Sequence, residues 1–532
     1  MDRASLQDGA LRSVELDILS KPLLLTTTPN LFWPLRRTEQ AALERLDIPH
    51  FSARADSNTL ALEGGEFLDG CFVEAPFARA GSRLRGLGQD DVDTVAQLIR
   101  MALHIRVAIN GADEAVAGEE PDDGEDLSSD ELLAHARAIS CGLREQAIHS
   151  PDSGASWIGL GYLPMAERFQ LQPTGADLYG GFTGIALFFA ALAQTTGDDG
   201  FGGLALDALR TLRRESGDRN IREFASWAGI GGASGCGSIV YGLVRTGQLL
   251  GDPSLTDDAT KFAAHISPEL IDADTALDVI SGSAGAVLGL LALYDAAGEQ
   301  WVLDRAIACG QHLLRSRVPT PAGHRAWRTR TVARPLTGFS HGAAGIAYSL
   351  LRLFERAKDP DLEAAAIEGL AYERSLFIPA AGNWPDLRES TDLQGQALHR
   401  TAWCHGAAGI TLARLGGLMA LDTPDIRAEI DIGLETTCGF GAGGFDHLCC
   451  GGMGRVEALI EGARRLGRPE LLAAAHRHVA WAVRRAQRAG GYRTQSGLGL
   501  VDPGFFSGTA GIGYTLLRLA RPESLPSVLL WE

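Results

Sequence analysis

From residue 180 onward, hydrophobic and polar positions alternate in long blocks, and the same arrangement returns seven times. Each copy is a Gly-x-x-Gly phrase followed by a segment in which nearly every position is small or apolar, as in GGFTGIALFFAALA and SGSAGAVLGLLALY. A helix that is apolar all round is buried on every side. The stretches between copies are amphipathic, as in DPDLEAAAIEGLAYERSLF. The pattern predicts alternating inner and outer helices, with a glycine motif in the loop before each inner helix.

The spacing of the motifs sets the architecture. The first glycines of successive motifs lie 45 to 64 residues apart, and the motif pairs are Gly181/Gly184, Gly232/Gly235, Gly282/Gly285, Gly342/Gly345, Gly406/Gly409, Gly451/Gly454 and Gly508/Gly511. Pro360 and Pro469 stand where the first position of a helix tolerates proline, so they predict two outer-helix starts. Such repeats either stack as an open solenoid or close on themselves. Strongly apolar inner helices favour closure, which predicts an all-α fold: an α/α toroid of seven inner/outer helix pairs with the glycine loops around one mouth.

The chain before the repeats has a different character. Residues 1–110 lack the glycine motif and predict a smaller, mixed N-terminal segment. Residues 111–131 are acidic and short of large apolar side chains, which is typical of a flexible linker. Residues 132–532 then form the repeat domain.

Composition narrows the setting. Of the 532 residues, 45% are hydrophobic and 21% charged, and the net charge of −18 argues against a nucleic-acid partner. The first residues lack the apolar core of a signal peptide, and the longest apolar run, GIALFFAALA, is far shorter than the ~20 residues of a membrane helix. We therefore expect a cytoplasmic protein that does not span a membrane and keeps its eight cysteines reduced. Four of them are expected in the core: Cys71, Cys141, Cys309 and Cys438.

Three of the remaining cysteines stand immediately before glycine motifs. Cys404 precedes Gly406 by two residues, and Cys449 and Cys450 directly precede Gly451. Equivalent loop positions in neighbouring repeats should point to the same place, so the three thiols predict a metal site. Zinc accepts cysteine thiolates, and a catalytic zinc keeps a position open beside three protein ligands. The alternative is that these are buried cysteines without a metal.

Other reactive side chains occupy the same arc of repeats. His341 lies in the motif position beside the cysteines and could move a proton near neutral pH, and Asp278 lies just before the third motif. An open all-thiolate zinc site suits a thiol substrate, since coordination deprotonates a thiol. The first, second and seventh loops offer Tyr179, Ala233 and Phe506 instead, and there we expect packing alone.

At these residues the sequence resembles a known family. DVISGSAG, GFSHGAAGIA, WCHGAAGI and LCCGGMG, in that order, resemble the lanthionine synthetase C-like cyclases. Together with ASWIGL and DLYGGFTGIALFFAALA, they are most similar to the cyclase domain of bifunctional class II lanthipeptide synthetases, over residues 130–525. The resemblance implies an α/α toroid with zinc at its mouth. It also implies Michael addition of peptide cysteine thiols to dehydroalanine or dehydrobutyrine, giving lanthionine and methyllanthionine rings.

The resemblance also implies roles for single residues. The zinc ligands would be Cys404, Cys449 and Cys450. His341 would protonate the enolate that thiol attack leaves, and Asp278 would hold a proton or orient the histidine. Arg400 matches an arginine of the family's site, where a cation would stabilise the enolate oxygen. His405 stands where some relatives have tyrosine, so its role stays open.

One departure from the family pattern is informative. Many members have Cys-His-Gly where this chain has Cys449-Cys450-Gly451. The change replaces a neutral ligand by a thiolate, as in a subgroup of the bifunctional enzymes. We predict a more anionic metal site and a more reactive bound thiol.

The N-terminal segment has a weaker resemblance. LFWPLRRTEQAALERLDIPHFSARADSNTL is similar to the closing segment of the dehydratase domain in the bifunctional enzymes. A glycine-rich phosphate loop and room for a kinase-like core are both missing, so dehydratase activity is not expected from this chain alone. The expected substrate is a dehydrated lanthipeptide precursor, with a separate dehydratase fragment or an export transporter as candidate partners.

Three other functions fit parts of the pattern. A toroidal prenyltransferase would be expected to use a mixed Asp/Cys/His zinc site and an aromatic lipid funnel, whereas this chain is 7% aromatic. A related toroid could add free thiols such as glutathione to dehydrated peptides, and the sequence does not separate this from ring formation. A non-catalytic toroid could bind a peptide, although all three cysteines and His341 are present.

Overall fold

The computed structural model describes residues 33–63, 65–89, 125–150, 154–163, 168–329, 334–388, 398–440, 444–494 and 502–532, with short helical pieces at 9–10, 13–14, 91–92, 95–96 and 98–99. The chain divides into two units, Met1–Leu98 and Ile99–Glu532. The predicted linker lies outside the described residues as far as residue 124.

The first unit contains both helices and strands, as the sequence predicted. Its described elements are helix α1 (Trp33–Glu44), strands β1 (Ser52–Ala53), β2 (Leu60–Ala61) and β3 (Phe67–Leu68), and helix α2 (Pro76–Gly86). The strands form an antiparallel sheet in the order β1-β2-β3.

The second unit opens with helix α3 (Ser129–Gln146). Its N-terminus has a capping box: the Ser128 hydroxyl accepts from the Glu131 amide, and the Glu131 carboxylate accepts from the Ser128 amide. The helix therefore begins inside the last residues of the predicted linker. Three short antiparallel hairpins also belong to this unit: β4 (Ile148–Ser150) with β5 (Gly154–Ser156), β6 (Ile158–Leu163) with β7 (Arg168–Pro173), and β8 (Arg317–Pro319) with β9 (Arg325–Trp327).

Helices dominate the rest of the unit. In chain order they are α4 (Phe182–Thr196), α5 (Asp199–Arg214), α6 (Asp218–Ala228), α7 (Cys236–Leu250), α8 (Ser254–Ala264), α9 (Pro268–Asp272), α10 (Ser283–Ala297), α11 (Gln300–Arg315), α12 (Ala343–Ala357), α13 (Pro360–Arg374), α14 (Ala407–Gly417), α15 (Pro424–Gly439), α16 (Gly452–Leu466), α17 (Pro469–Ala489) and α18 (Thr509–Ala520). Pro360 and Pro469 each occupy the first turn of an outer helix, which confirms the predicted starts.

The inner helices close into a ring. Among the described residues, α4, α7, α10, α12, α14, α16 and α18 each pack against the next in this order, and α18 packs against α4. Each of the first six also packs against the outer helix that follows it, whereas α18 packs against α3. The N-terminal helix of the unit thus completes the outer layer, and the predicted α/α toroid is confirmed.

Glycines begin the inner helices. The N-cap is the first glycine of the predicted motif in every repeat except the second, where it is Gly235, the second glycine of the predicted pair. In that repeat Ser238 takes the place of the second glycine. The predicted register of the second motif is therefore wrong by three residues.

The other cysteines behave unequally. Cys309 is buried, as expected, and Cys71 and Cys438 are partly buried, but Cys141 is exposed, so the core prediction is wrong for Cys141. In the described part of the chain, no helix combines the length and apolar character needed to cross a membrane.

Candidate metal centre

The loops before the inner helices are joined by main-chain hydrogen bonds. The amide of Ser340 donates to the carbonyl of Cys404 (3.2 Å), that of Cys404 to Cys449 (3.2 Å), and that of Cys449 to Phe506 (2.9 Å). The other links run from Phe506 to Tyr179, Tyr179 to Ala233, Ala233 to Ile280, and Val279 to Ser340. Each residue in this ring lies two positions before the N-cap of the inner helix that follows it, except Val279, which lies three positions before. The closed ring brings side chains from distant repeats to one mouth.

The three cysteine thiols meet on this ring. The Cys404 and Cys450 sulfurs are 3.3 Å apart, and the Cys450 and Cys449 sulfurs are 3.6 Å apart. All three sulfurs lie within 4.8 Å of one another. Cys404 and Cys449 are buried, Cys450 is partly buried, and none forms a disulfide. The predicted ligands are therefore brought together.

Their chemistry fits a zinc ion. Three sulfurs bound tetrahedrally at about 2.3 Å would lie about 3.8 Å apart, close to the separations here. Hydrogen bonds from Cys404 and Cys449 hold the pKa of Cys450 well below its ordinary value, whereas hydrogen bonding within the cluster raises the pKa of Cys449. The cluster by itself thus favours one thiolate held by two thiols. A divalent cation is what would let all three ionise.

The predicted acid/base pair is also assembled. His341 Nδ1 lies 2.6 Å from Asp278 Oδ2. Asp278 is buried, and its other oxygen accepts from the Ser281 amide at 2.8 Å, so the carboxylate cannot easily turn. About a quarter of the His341 side chain is exposed. With Nδ1 bound to the carboxylate, the ring has Nε2 left for a substrate.

His405 is a second imidazole beside the first. Its ring centroid lies 6.1 Å from that of His341, and its side chain is buried. Neither ring nitrogen has a hydrogen-bond partner among the described residues. Burial, followed by the nearby charge of Arg388, lowers the pKa of His405 to about 3, so the ring is neutral. A neutral ring next to the thiols adds no charge to them.

Arg400 reaches the site through a carboxylate. Its Nε lies 3.1 Å from Asp386, and about half of its side chain is exposed. Asp386 is buried and also binds the Arg388 guanidinium through two hydrogen bonds, of 3.0 and 2.7 Å. Burial opposes ionisation of Asp386, but these bonds keep its pKa below the ordinary range. The charge of Arg388 acts on Cys404 and Cys450, so Arg388 is a second cation at the centre.

The sequence interpretation missed several neighbours of the thiols. Tyr179, expected only to pack, stacks on Phe506 with 5.2 Å between centroids, and it lies near enough to the thiols for their charges to act on its hydroxyl. Burial, and then the thiol charges, raise the pKa of Tyr179. Its position two residues before an N-cap, the same as that of Cys404, is the signal that could have found it. Arg388 lies in an irregular loop outside the motifs, and no pattern points to it.

Comparison with known proteins decides the family. A model described as "Lanthionine synthetase C-like protein" matches residues 172–530, more than half of the chain. The chain belongs to the lanthionine synthetase C-like family. This membership confirms the resemblance given by the ordered motifs. The likeness to the class II bifunctional enzymes and to their three-cysteine subgroup stays a prediction.

One solved structure supports the fold of this LanC-like chain, and two others are more distantly similar. Nisin cyclase is similar to it at 15% identity and a TM-score of 0.50, covering 74% of this chain and 94% of that one. A sugar epimerase from a ruminal bacterium has 10% identity and a TM-score of 0.38, covering 74% and 100%. A GH76 alpha-mannanase from Bacteroides thetaiotaomicron has 11% identity and a TM-score of 0.40, covering 74% and 96%.

Proposed function

We propose that this LanC-like protein is a zinc-dependent lanthipeptide cyclase. The observation that carries the proposal is the meeting of three thiols and a His–Asp pair on one hydrogen-bonded ring of loops, in a chain of the lanthionine synthetase C-like family. Cys404, Cys449 and Cys450 would hold the ion. When bound, zinc would hold a substrate cysteine and lower the pKa of its thiol.

The reaction adds a thiol across a double bond. The substrate sulfur forms a bond to the β-carbon of dehydroalanine or dehydrobutyrine, and the electron pair of the carbon–carbon double bond moves to give an enolate. A proton then reaches the α-carbon, so one S–H and one π bond are exchanged for one S–C and one C–H bond. Nothing leaves, and the mass of the peptide does not change.

The chain's own residues supply the proton and the charge. His341, held at Nδ1 by Asp278, would deliver a proton to the α-carbon from Nε2 and recover it from the substrate thiol. Arg388 and Arg400, both bound to Asp386, would stabilise the enolate oxygen. The third thiolate of Cys450 would make the site more anionic than a Cys-Cys-His site.

A purified-protein assay tests this proposal. A dehydrated peptide with one cysteine should lose its free thiol without change of mass in the presence of the zinc-loaded protein. Cys404→Ala should abolish both zinc binding and thiol loss. If thiol loss requires added glutathione and the peptide gains its mass, the free-thiol alternative is right; if the peptide binds unchanged, the protein is a non-catalytic binder.

The wider setting follows from the same proposal. The substrate would be a dehydrated precursor peptide in the cytoplasm. Dehydration of that peptide would be carried out by a dehydratase, and residues 1–110 are similar in sequence to the closing segment of such a domain. Co-expression of a precursor with and without such a dehydratase tests this division, since thioether rings should form only when both proteins are present.

A further inference from the structure

The segment Ser527–Glu532 lies inside the ring of inner helices. The Tyr241 hydroxyl of α7 donates to the Glu532 carbonyl (3.0 Å), and the Tyr348 hydroxyl of α12 donates to the Leu530 carbonyl (2.7 Å). From α16, Arg465 binds the Glu532 carboxylate at 2.6 Å. Three inner helices on different sides of the toroid therefore hold one short segment.

Trp531 of this segment lies against the loops of the metal centre. Its ring centroid is 6.0 Å from Phe506, 6.2 Å from Trp403 and 6.4 Å from Phe339, with the Phe339 ring nearly parallel. The indole nitrogen donates to the Gly232 carbonyl at 3.0 Å. One side chain thus touches the loops of the second, fourth, fifth and seventh repeats.

The aromatic partners of Trp531 are neighbours of the reactive residues in the chain. Trp403 directly precedes Cys404, and Phe339 stands two residues before His341. The Phe506 carbonyl accepts the amide of Cys449. A shift of these rings would therefore move two of the three thiols and the histidine.

The backbone of Trp531 is unusual. Its φ of +54° is in the left-handed region, which a bulky side chain rarely adopts. Such a conformation persists only where the surroundings over-determine it. Here the indole is buried, its nitrogen is hydrogen-bonded, and three aromatic rings of the loops lie around it, so the strained backbone serves to present this ring to the loops.

We propose that Trp531 is a positioning residue that sets the spacing of the metal-binding loops from inside the toroid. This inference rests on the proposed zinc site of the cyclase, and it adds a residue that lies outside every glycine motif. Loss of a group that orients ligands typically weakens metal binding by about 10- to 100-fold.

The test compares zinc affinity with global stability in the full chain. Zinc dissociation constants are measured by competition with a chromophoric chelator, and thermal unfolding is followed in parallel. Trp531→Ala should weaken zinc binding by about tenfold or more, and Trp531→Phe, which keeps an aromatic ring, should recover most of it. Cobalt substitution adds a second measure, because a distorted thiolate set changes the absorption of the bound cobalt.

Two control variants separate positioning from stability. Tyr514→Phe removes a 2.9 Å hydrogen bond to Pro526, directly before the same segment, and should lower stability without affecting zinc affinity. Trp227→Ala removes a tryptophan that is 85% exposed and should change neither. If Trp531→Ala does not fold, Trp531→Leu is used in its place. The Trp531→Leu protein should bind zinc more weakly than the Trp531→Phe protein.

The outcomes are distinct. Wild-type zinc affinity in Trp531→Ala, or in Trp531→Leu where that variant is used, would overturn the inference. The inference would also be overturned if Trp531→Phe did not recover the lost zinc affinity, or if Tyr514→Phe lost as much zinc affinity. A wild-type protein without measurable zinc affinity would also overturn it. The zinc titration uses no peptide and is therefore independent of the cyclisation assay. A wild-type protein that binds zinc but fails to close rings in that separate assay would refute the cyclase proposal and leave this inference standing.

Discussion

Replacing His341 with alanine removes the imidazole that would deliver the proton in ring closure. That imidazole is held 2.6 Å from a buried carboxylate, which is itself fixed by an amide hydrogen bond. A positioned general acid or base contributes about 100- to 10,000-fold to a rate, or about 2.7 to 5.5 kcal/mol. We therefore expect His341→Ala to slow ring closure by about 100-fold or more. Zinc content should stay unchanged, because the histidine is not one of the three thiols.

Asp278→Asn should have a similar effect through the same histidine. The carboxylate accepts from Nδ1, whereas an amide group can donate to Nδ1 and so favour the other tautomer. Residues that act as a unit are strongly non-additive. The double variant should therefore lose little more than either single variant.

The assay uses a dehydrated peptide with one cysteine and one dehydroalanine, and follows loss of free thiol at constant mass. His149→Ala is the matched control, since it breaks another His–Asp pair, with 3.4 Å between His149 Nδ1 and Asp207 Oδ2. A rate within about threefold of wild type for His341→Ala, far below the expected loss, would refute the reasoning. Additive losses in the double variant, or loss of zinc with the histidine, would refute it equally.

Other perturbations probe the metal centre and the fold. Cys450→His should keep zinc binding but slow ring closure, because a neutral ligand leaves the bound thiol less electron-rich; metal analysis and the thiol assay check both. Gly406→Ala should lower the melting temperature and zinc affinity more than Gly467→Ala. Both glycines have positive φ (+86° and +66°), but only at Gly406 would a Cβ strike a backbone carbonyl. Arg388→Gln should slow ring closure with zinc affinity retained, and Arg388→Lys should recover part of the rate. Burial opposes ionisation of Glu461, but nearby arginines lower its pKa to about 2. The stabilisation by ionised Glu461 is present above about pH 4.5 and is lost as the pH falls toward 2. Between these two pH values, the unfolding free energy measured in urea should therefore fall by about 3 kcal/mol more in wild type than in Glu461→Gln.

Each of these predictions has a contrary result. Unchanged cyclisation in Cys450→His would remove any role for the third thiolate. Equal effects of the two alanine substitutions would mean that the left-handed backbone alone, and not the close approach, explains the glycine. Loss of zinc from Arg388→Gln would mean that the arginine stabilises the metal-binding thiols. The same dependence of unfolding free energy on pH in wild type and Glu461→Gln would mean that ionised Glu461 does not stabilise the fold.

The toroid was predictable because its local signals agree. Apolar runs, N-cap glycines and Pro360 and Pro469 all reflect short-range preferences, and each inner helix is built by them independently. The register of the second repeat was mispredicted because Gly231, Gly232 and Gly235 are all candidate N-caps. Three residues after the actual N-cap, Gly235, the chain has Ser238 in place of the second glycine of the motif.

The cysteines were predictable for a different reason. Cys404 and Cys449 stand at the same offset from their N-caps, so a repeat places them alike without any knowledge of the fold. The same offset belongs to Tyr179, for which the sequence predicted packing alone. Its place beside the thiols, whose charges act on its hydroxyl, was therefore missed.

Long-range partners could not be predicted. Helix α3 closes the outer layer against α18, and Trp531 sits under loops whose residues are up to 299 positions away, as its hydrogen bond to Gly232 shows. Neither contact leaves a periodic pattern in the sequence. Arg388 is similar, since its place beside the thiols depends on Asp386 and on the path of an irregular loop.

The hydrogen-bonded ring of loops explains why these separate features belong to one site. Each loop of the ring accepts an amide from one neighbour and donates to the next, so no single loop fixes its own position. Cys404 and Cys449 are adjacent members of that ring, and the carbonyls of Cys449 and Phe506 hold their amides. A rigid ring can present three thiols without a compact zinc-binding motif, because repetition supplies the geometry that spacing supplies in a zinc finger. The cost is that the centre depends on all the repeats at once, including those that carry no reactive side chain.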